Sequence, residues 1–265
     1  MSHLQNRVSP KGKRVSLFVT CMVDMLYPDT GMSVVDVLEH LGCEVDFPAS
    51  QTCCGQPGFN AGYHGDARTV ARQFIRVFSD AEVIVAPSGS CTAMVRHEYP
   101  RLFADDPIWL AHAEAVAAKT WEITEFIVDG LGISNLDAAL PEPTNIAIHD
   151  ACHGLRQLGL GTAGRTLLNN VENAEVSDLT EHDKCCGFGG LFSVKMPGVS
   201  GAMLERKMDH IDTADAETIV TGDVSCLTHM NGGLSKSGRT KRVRHIIDVL
   251  ADGVRHAQHS PEGAD

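Results

Sequence analysis

Nine cysteines lie in this chain of 265 residues, and eight of them recur in register. Cys21, Cys53, Cys54 and Cys91 return as Cys152, Cys185, Cys186 and Cys226, at offsets of 131, 132, 132 and 135 residues. A constant offset of that kind marks a duplicated unit. Four thiolates drawn from three separate segments make a soft, strongly anionic pocket, which selects an iron–sulfur cluster or zinc over a hard cation. Structural zinc favours closely spaced pairs such as Cys-x-x-Cys, and none occurs; the nearest match is Cys226-Leu227-Thr228-His229. The same gap counts against a thioredoxin-like dithiol. Cys43 stands outside the register, after Gly42, and reads as a small hydrophobe in a strand.

Histidines flank the second set of cysteines. His229 is a candidate fifth donor, or else a hydrogen-bond partner behind the ligands. His149 and His153 bracket Cys152 and read as loop histidines, able to hydrogen-bond sulfide or carry protons. His182 and Lys184 beside Cys185 could offset thiolate charge, or simply occupy a solvated turn. Gly187-Phe188-Gly189-Gly190 lacks the Gly-x-Gly-x-x-Gly spacing of a nucleotide cradle. Lys241-Arg242-Val243-Arg244-His245 reads as a solvated basic helix face.

The elements that must position these side chains repeat as well. Val15 to Thr20 is a short apolar run ending on Cys21, and Asn145 to His149 precedes Cys152 in the same way. A helix over Ser33 to Leu41 follows, with Val34, Val37, Leu38 and Leu41 on one face and Gly42 as its stop; Ala163 to Val171 is the counterpart. Then come a weak strand before each Cys-Cys-Gly turn, a helix near Ala67 to Phe78, and the strands Val83-Ile84-Val85 and Ile219-Val220-Thr221 leading to the last cysteines. Strands without polar alternation, separated by helices, imply parallel sheets covered on both faces. The expected fold is therefore α/β: two tandem similar halves, each a small parallel sheet flanked by helices, with the metal site at the carboxyl ends of the strands. Cys54, Cys91, Cys186 and Cys226 would sit just ahead of helices, whose free amides favour thiolate. Trp121 to Thr144 reads as a helix plus linker, which places the first domain over 15–140, the second over 141–250, and flexible tails over 1–14 and 251–265.

Bulk properties narrow the function classes. A net charge of -12 repels phosphate backbones and anionic lipid, so nucleic acid is not an expected partner. No apolar run reaches the roughly 18 to 20 residues of a membrane span, so direct membrane insertion is not expected either. The polar N-terminus carries no secretory signal, and the expected location is the cytoplasm, where nine cysteines point to metal or redox chemistry rather than disulfides.

The doubled pattern resembles the cysteine-rich CCG-domain family. The resemblance rests on Phe18-Val19-Thr20-Cys21, Cys53-Cys54-Gly55-Gln56-Pro57, Pro87-Ser88-Gly89-Ser90-Cys91, His149-Asp150-Ala151-Cys152-His153, Cys185-Cys186-Gly187-Phe188-Gly189-Gly190 and Cys226-Leu227-Thr228-His229, across residues 15 to 233. The Ser-Gly-Ser-Cys and Cys-Leu-x-His variants point to its lactate-oxidising branch. The resemblance implies an iron–sulfur electron-transfer subunit that works with two partner subunits, one also iron–sulfur, to oxidise L-lactate to pyruvate. Relatives that cleave heterodisulfides hold a noncubane cluster on five cysteines per domain. Here Ser88 takes the place of one in the first half and His229 that of another in the second, which leaves four per half, enough for a conventional 4Fe–4S cluster in one or both. Some family members hold zinc, so zinc in one half is an alternative, as are a zinc-stabilised scaffold or a disulfide reductase for the whole chain. The sequence carries no flavin or nicotinamide fingerprint, so the two-electron chemistry on a 2-hydroxy acid is expected on a partner.

Overall fold

The computed structural model describes Arg7 and residues 9–259; most of the expected N-terminal tail's first eight residues, and 260–265 of the C-terminal one, lie outside the described residues. Two four-stranded parallel sheets repeat one topology. The first runs β2-β1-β3-β4, with β1 Val15–Leu17, β2 Val45–Asp46, β3 Val83–Ala86 and β4 Thr120–Glu122. The second runs β6-β5-β7-β8, with β5 Ala139–His149, β6 Glu172–Asp178, β7 Thr218–Thr221 and β8 Val243–His245. Register is equivalent too: Leu17 lies opposite Val85, and Ile148 opposite Val220. Every residue of β1 and β3 is buried, as expected for parallel strands covered by helices on both faces.

Helices cover each sheet on both sides. The Pro28–His40 helix starts on a proline with Asp29 in its first turn, and gives way at Gly42, whose φ of +75° needs a residue without Cβ. Its Val34, Val37 and Leu38 are buried on the inner face. The His64–Phe78 helix covers the other face, where Phe18, Phe74, Phe78 and Tyr99 pack with ring centroids 4.6 to 5.8 Å apart. The Pro197–Thr213 helix is its counterpart in the second half.

The halves do not keep separate cores. One cluster joins Val15, Leu17 and Val85 of the first sheet to Ile146, Ile148 and Val220 of the second, through Val37, Leu38, Ile247 and Leu250 on the helices between them. The Pro28–His40 helix packs on the Ile246–His259 helix, with Thr30 Oγ1 donating to Asp248 Oδ2 at 3.0 Å and Arg255 paired with Asp36 at 2.5 Å. Each half then has an outer core of its own.

Three local expectations change. Trp121 is not in a linker helix: Thr120–Glu122 is the fourth strand, buried throughout, and the expected boundary near 140/141 falls inside β5. Val243–His245 is a strand with His245 fully buried, not a solvated helix face; the apolar alternation that would reveal it is masked by flanking arginines and lysine. Residues 251–259 continue a helix whose Ala251 and Val254 are buried in the shared core, so that stretch is not a tail. Among the described residues, no helix is long and apolar enough to cross a membrane.

Glu122, the last residue of β4, is buried and accepts hydrogen bonds from Thr124 N at 2.8 Å, Thr124 Oγ1 at 2.6 Å and Glu125 N at 3.2 Å. Burial nonetheless pushes its carboxyl from the ordinary 4.5 to about 7. The folded chain therefore binds more protons than the unfolded one between those values, and stability falls as pH rises from about 4.5 through 7, by about 3 kcal/mol at about 1.4 kcal/mol per pH unit. Denaturant titrations at pH 5 and pH 7.5 are expected to show this fall, and Glu122→Gln to flatten it. An unchanged slope in the variant would assign the proton elsewhere.

Candidate metal centre

Each half brings its four cysteines together at the carboxyl ends of the strands. After β1, Thr20 adopts φ +71° and ψ 148°, a conformation that costs a β-branched residue about 1–3 kcal/mol, and turns the chain so that Cys21 opens the Cys21–Leu26 helix. The Cys53-Cys54 turn is pinned to β1 by Gln51, which accepts from Val19 N at 2.9 Å and donates to Leu17 O at 3.0 Å. Gly55 then takes φ +85° and directs its amide at Cys53 Sγ, 3.4 Å away. Cys91 is the third residue of the Gly89–Ala93 helix, and its amide donates to the capping Ser88 Oγ at 3.2 Å. The sulfurs form a chain of contacts from Cys21 through Cys53 and Cys54 to Cys91, the last link 3.5 Å long.

The second half repeats this arrangement. Cys152 follows β5; Cys185 and Cys186 make the turn; Cys226 is the third residue of the Val224–Lys236 helix, capped by Asp223, whose Oδ1 accepts from Ser225 N at 3.0 Å. The sulfurs link in the order Cys152, Cys185, Cys186, Cys226. Gly187 has φ +93° and sends its amide to Cys185 Sγ at 3.3 Å. Here the glycine is required twice over, since a Cβ would stand 2.7 Å from the Ser200 carbonyl oxygen, whereas at Gly55 nothing comes closer than 3.4 Å.

The sulfurs share charge unequally. Cys53 receives the S–H of Cys21 and is drawn down to about 2, while Cys21 and Cys54, which donate to it, are pushed up. Cys185 is likewise drawn down to about 2 by the S–H of Cys152, and Cys152 and Cys186 rise. Four thiolates in contact require a positive centre among them, which is the chemistry of a thiolate-bound metal.

The two sets form one site. Asp223 Oδ2 accepts from Ser88 Oγ at 3.1 Å and from Ser90 N at 2.9 Å, so the caps of the two cysteine-bearing helices, one from each half, are bonded to each other. Beside them Gly89 approaches Gly154 so closely that a Cβ on Gly89 would lie 3.0 Å from Gly154 Cα. All eight cysteines line a single cavity of about 330 Å³, with Met22, Pro57, Phe188 and Leu191 supplying apolar wall.

All eight residues expected as ligands therefore line that cavity, although Cys91 and Cys226 lie within the first helical turn rather than ahead of it, and Cys186 is five residues short of the Leu191–Lys195 helix. Cys43 is half-buried against the shared core, away from the cavity. His229 sits one turn beyond Cys226, with Nε2 3.4 Å from Ser200 Oγ. His153 Nδ1 is 3.7 Å from Cys152 Sγ. His182 is engaged by Asp150 at 2.8 Å and Lys184 is exposed beside Asp183, so neither is spent on thiolate. His149 is not a loop histidine: it ends β5, fully enclosed, and burial pulls it from 6.5 down to about 4. Sequence reasoning missed Lys207, a buried lysine near Cys186 and Cys185 whose Nζ donates to Glu181 O at 2.6 Å. Its cue was the one lysine within the Pro197–Thr213 helix, whose counterpart in the first half presents Ala71, Phe74, Ile75 and Phe78.

A model of the cysteine-rich CCG domain matches residues 15–96 and again 146–231. The chain is similar to lactate utilization protein A of Exiguobacterium sp. (strain AT1b), with 49% identity over 92% of this chain and 99% of that protein. The protein of the same name from Macrococcus caseolyticus is 48% identical over 91% of this chain and 97% of its own length. Among solved structures, a hypothetical protein from Helicobacter pylori superposes with a TM-score of 0.62 at 11% identity; the match covers 92% of this chain and about half (49%) of that one, and is a likeness of fold.

Proposed function

This chain belongs to the CCG family of cysteine-rich domain proteins, and from that premise we propose that it is an iron–sulfur electron-transfer subunit of a multi-protein system oxidising L-lactate to pyruvate. The observation that carries the reading is the single cavity lined by two sets of four cysteines. About 330 Å³ is far more than two single ions occupy, since about 30 Å³ suffices for a water molecule. Cys21, Cys53, Cys54 and Cys91 would hold one cluster, and Cys152, Cys185, Cys186 and Cys226 the other. Bound clusters supply one-electron storage and transfer. The chain's own residues do the rest: amides of Gly55 and Gly187 bond sulfur, Lys207 adds positive potential, and Met22, Phe188 and Leu191 limit water. The relatives' shared name supports lactate as the process served. In this reading the protein acts in the cytoplasm with two partner subunits, one also iron–sulfur, and a partner carries out the two-electron step on the 2-hydroxy acid.

A second reading has its own observation. The 3.5 Å between the sulfurs of Cys54 and Cys91 is close to the edge of a zinc–sulfur tetrahedron, about 3.8 Å for bonds of about 2.3 Å. Zinc in one or both halves would make the chain a scaffold in that part.

The test is purification without oxygen, followed by iron, acid-labile sulfide and zinc per chain, together with growth of a deletion strain. About four to eight irons with matching sulfide are expected. Growth on L-lactate is expected to fail while growth on pyruvate persists, and the wild-type gene to restore it. Stoichiometric zinc without sulfide would replace electron transfer by the scaffold reading, and normal growth on L-lactate would remove lactate.

A further inference from the structure

We propose that His149 is a metal ligand in the second half alone, so that the two halves hold centres of unlike ligation. The inference rests on the preceding reading only in that a metal occupies the cysteine sites. The ring of His149 is fully buried, yet neither Nδ1 nor Nε2 makes a hydrogen bond, although the His182 carbonyl lies near it. Even if one ring nitrogen turns toward the His182 carbonyl, the other is a bare acceptor enclosed with no donor, a loss that a bond to a metal would recover. Its ligating nitrogen and the sulfurs of Cys186 and Cys226 all lie within 4.8 Å of one another, the span of a common coordination sphere.

The first half cannot do the same. Subtracting the offset of 131 that relates Cys152 to Cys21 places Phe18 at the position of His149. The sheets agree, since Leu17 opposite Val85 matches Ile148 opposite Val220, one residue earlier. Phe18 packs with Phe74 and Phe78 in the outer core and offers no donor. The first half thus offers four cysteines and no histidine at this position, whereas in the second half His149 stands with Cys186 and Cys226. Cys152 has a substitute partner in His153, at 3.7 Å, should one thiolate be left unbound.

A neutral imidazole in place of an anionic thiolate lowers the negative charge on a centre and raises its reduction potential, the effect seen when histidines replace cysteines on a 2Fe–2S centre. Buried Lys207 beside Cys186 and Cys185 acts in the same direction. With iron–sulfur centres in both halves, the second would be the electron sink of the pair and the first the donor.

Pulsed EPR on the reduced holoprotein, grown with natural and with 15N-labelled histidine, reads the bond directly. A strongly coupled histidine nitrogen is expected, changed by the label and absent in His149→Phe, a substitution the fold already accommodates at Phe18. The potential of the second centre is expected to fall in that variant. If the protein carries zinc, which would undo the electron-transfer reading, cobalt exchanged into the site reports the same coupling, so the two ideas fail separately. Absence of any coupled histidine nitrogen, or a coupling that survives in His149→Phe, overturns the proposal; should that variant not fold, the labelled wild-type protein alone decides whether histidine is bound, and His149→Gln decides which one.

Discussion

Cys54→Ser and Cys186→Ser are each expected to lose the metal of one half and keep that of the other, so that metal per chain falls about twofold in either variant and to near zero in the pair. Cys54 and Cys186 are the inner members of their sets, 2% and 1% exposed, and each touches two other sulfurs. Water cannot take their place at that depth. A serine hydroxyl is a hard donor that does not ionise at neutral pH, and soft metals discriminate against it. The rest of the fold has little reason to fail, because the exchange is nearly isosteric and Tyr99 still donates to the backbone carbonyl of residue 54 at 2.9 Å. Iron, sulfide and zinc analysis of the purified variants decides the matter. Full retention of metal would sink the ligand assignment; loss of all metal from either single variant would mean that the eight cysteines share one centre rather than two.

Asp223→Ala is expected to damage both halves from one position. The carboxylate is 2% exposed and accepts three hydrogen bonds, from Ser88 Oγ, Ser90 N and Ser225 N, which together hold the loops carrying Cys91 and Cys226. Alanine leaves the buried Ser90 N without its acceptor and removes the half-buried bond from Ser225 N, while Ser88 Oγ keeps Ser90 Oγ at 3.2 Å. A cost of about 2–3 kcal/mol follows from about 1 kcal/mol or more for each bond lost. Asp223 caps the helix of Cys226 directly, and Ser88, which keeps its bond from Cys91 N, loses the carboxylate that fixes it, so the anchoring of both cysteines is weakened. Unfolding measurements are expected to show the stability loss, and metal analysis a reduced content in both halves. Ser88→Ala, which removes only one of these bonds and the first cap, should cost about 1 kcal/mol and affect the first half alone. Wild-type stability in Asp223→Ala, or metal loss confined to the second half, would show that the two sites are held independently.

Both expectations depend on features of different visibility. That Cys54 and Cys186 are ligand candidates is plain from the register of Cys-Cys-Gly, since adjacent cysteines followed by glycine recur 132 residues apart. That Asp223 and Ser88 meet is not, because nothing local to Thr221-Gly222-Asp223 or Pro87-Ser88 refers to the other segment, 135 residues away. Trp121 shows the same limit at the level of an element. Thr120-Trp121-Glu122 is too short for periodicity to declare it a strand, and only its pairing with Ile84, Val85 and Ala86 makes it one.

The duplication, the eight cysteines and the alternation of apolar strands with amphipathic helices are legible in the amino-acid order, and with them the parallel sheets carrying the sulfurs at their carboxyl ends. Those properties are encoded locally, in spacing and in the direction each side chain takes from its own backbone. Only in the folded chain do both sets face one cavity, do the halves share a core through the Pro28–His40 and Ile246–His259 helices, and do His149 and Lys207 lie buried beside the second set. These depend on which surfaces meet. A polar residue at a strand end is solvated or enclosed according to the helix that covers it, and that helix is set by packing over the whole chain, not by the residues on either side of it.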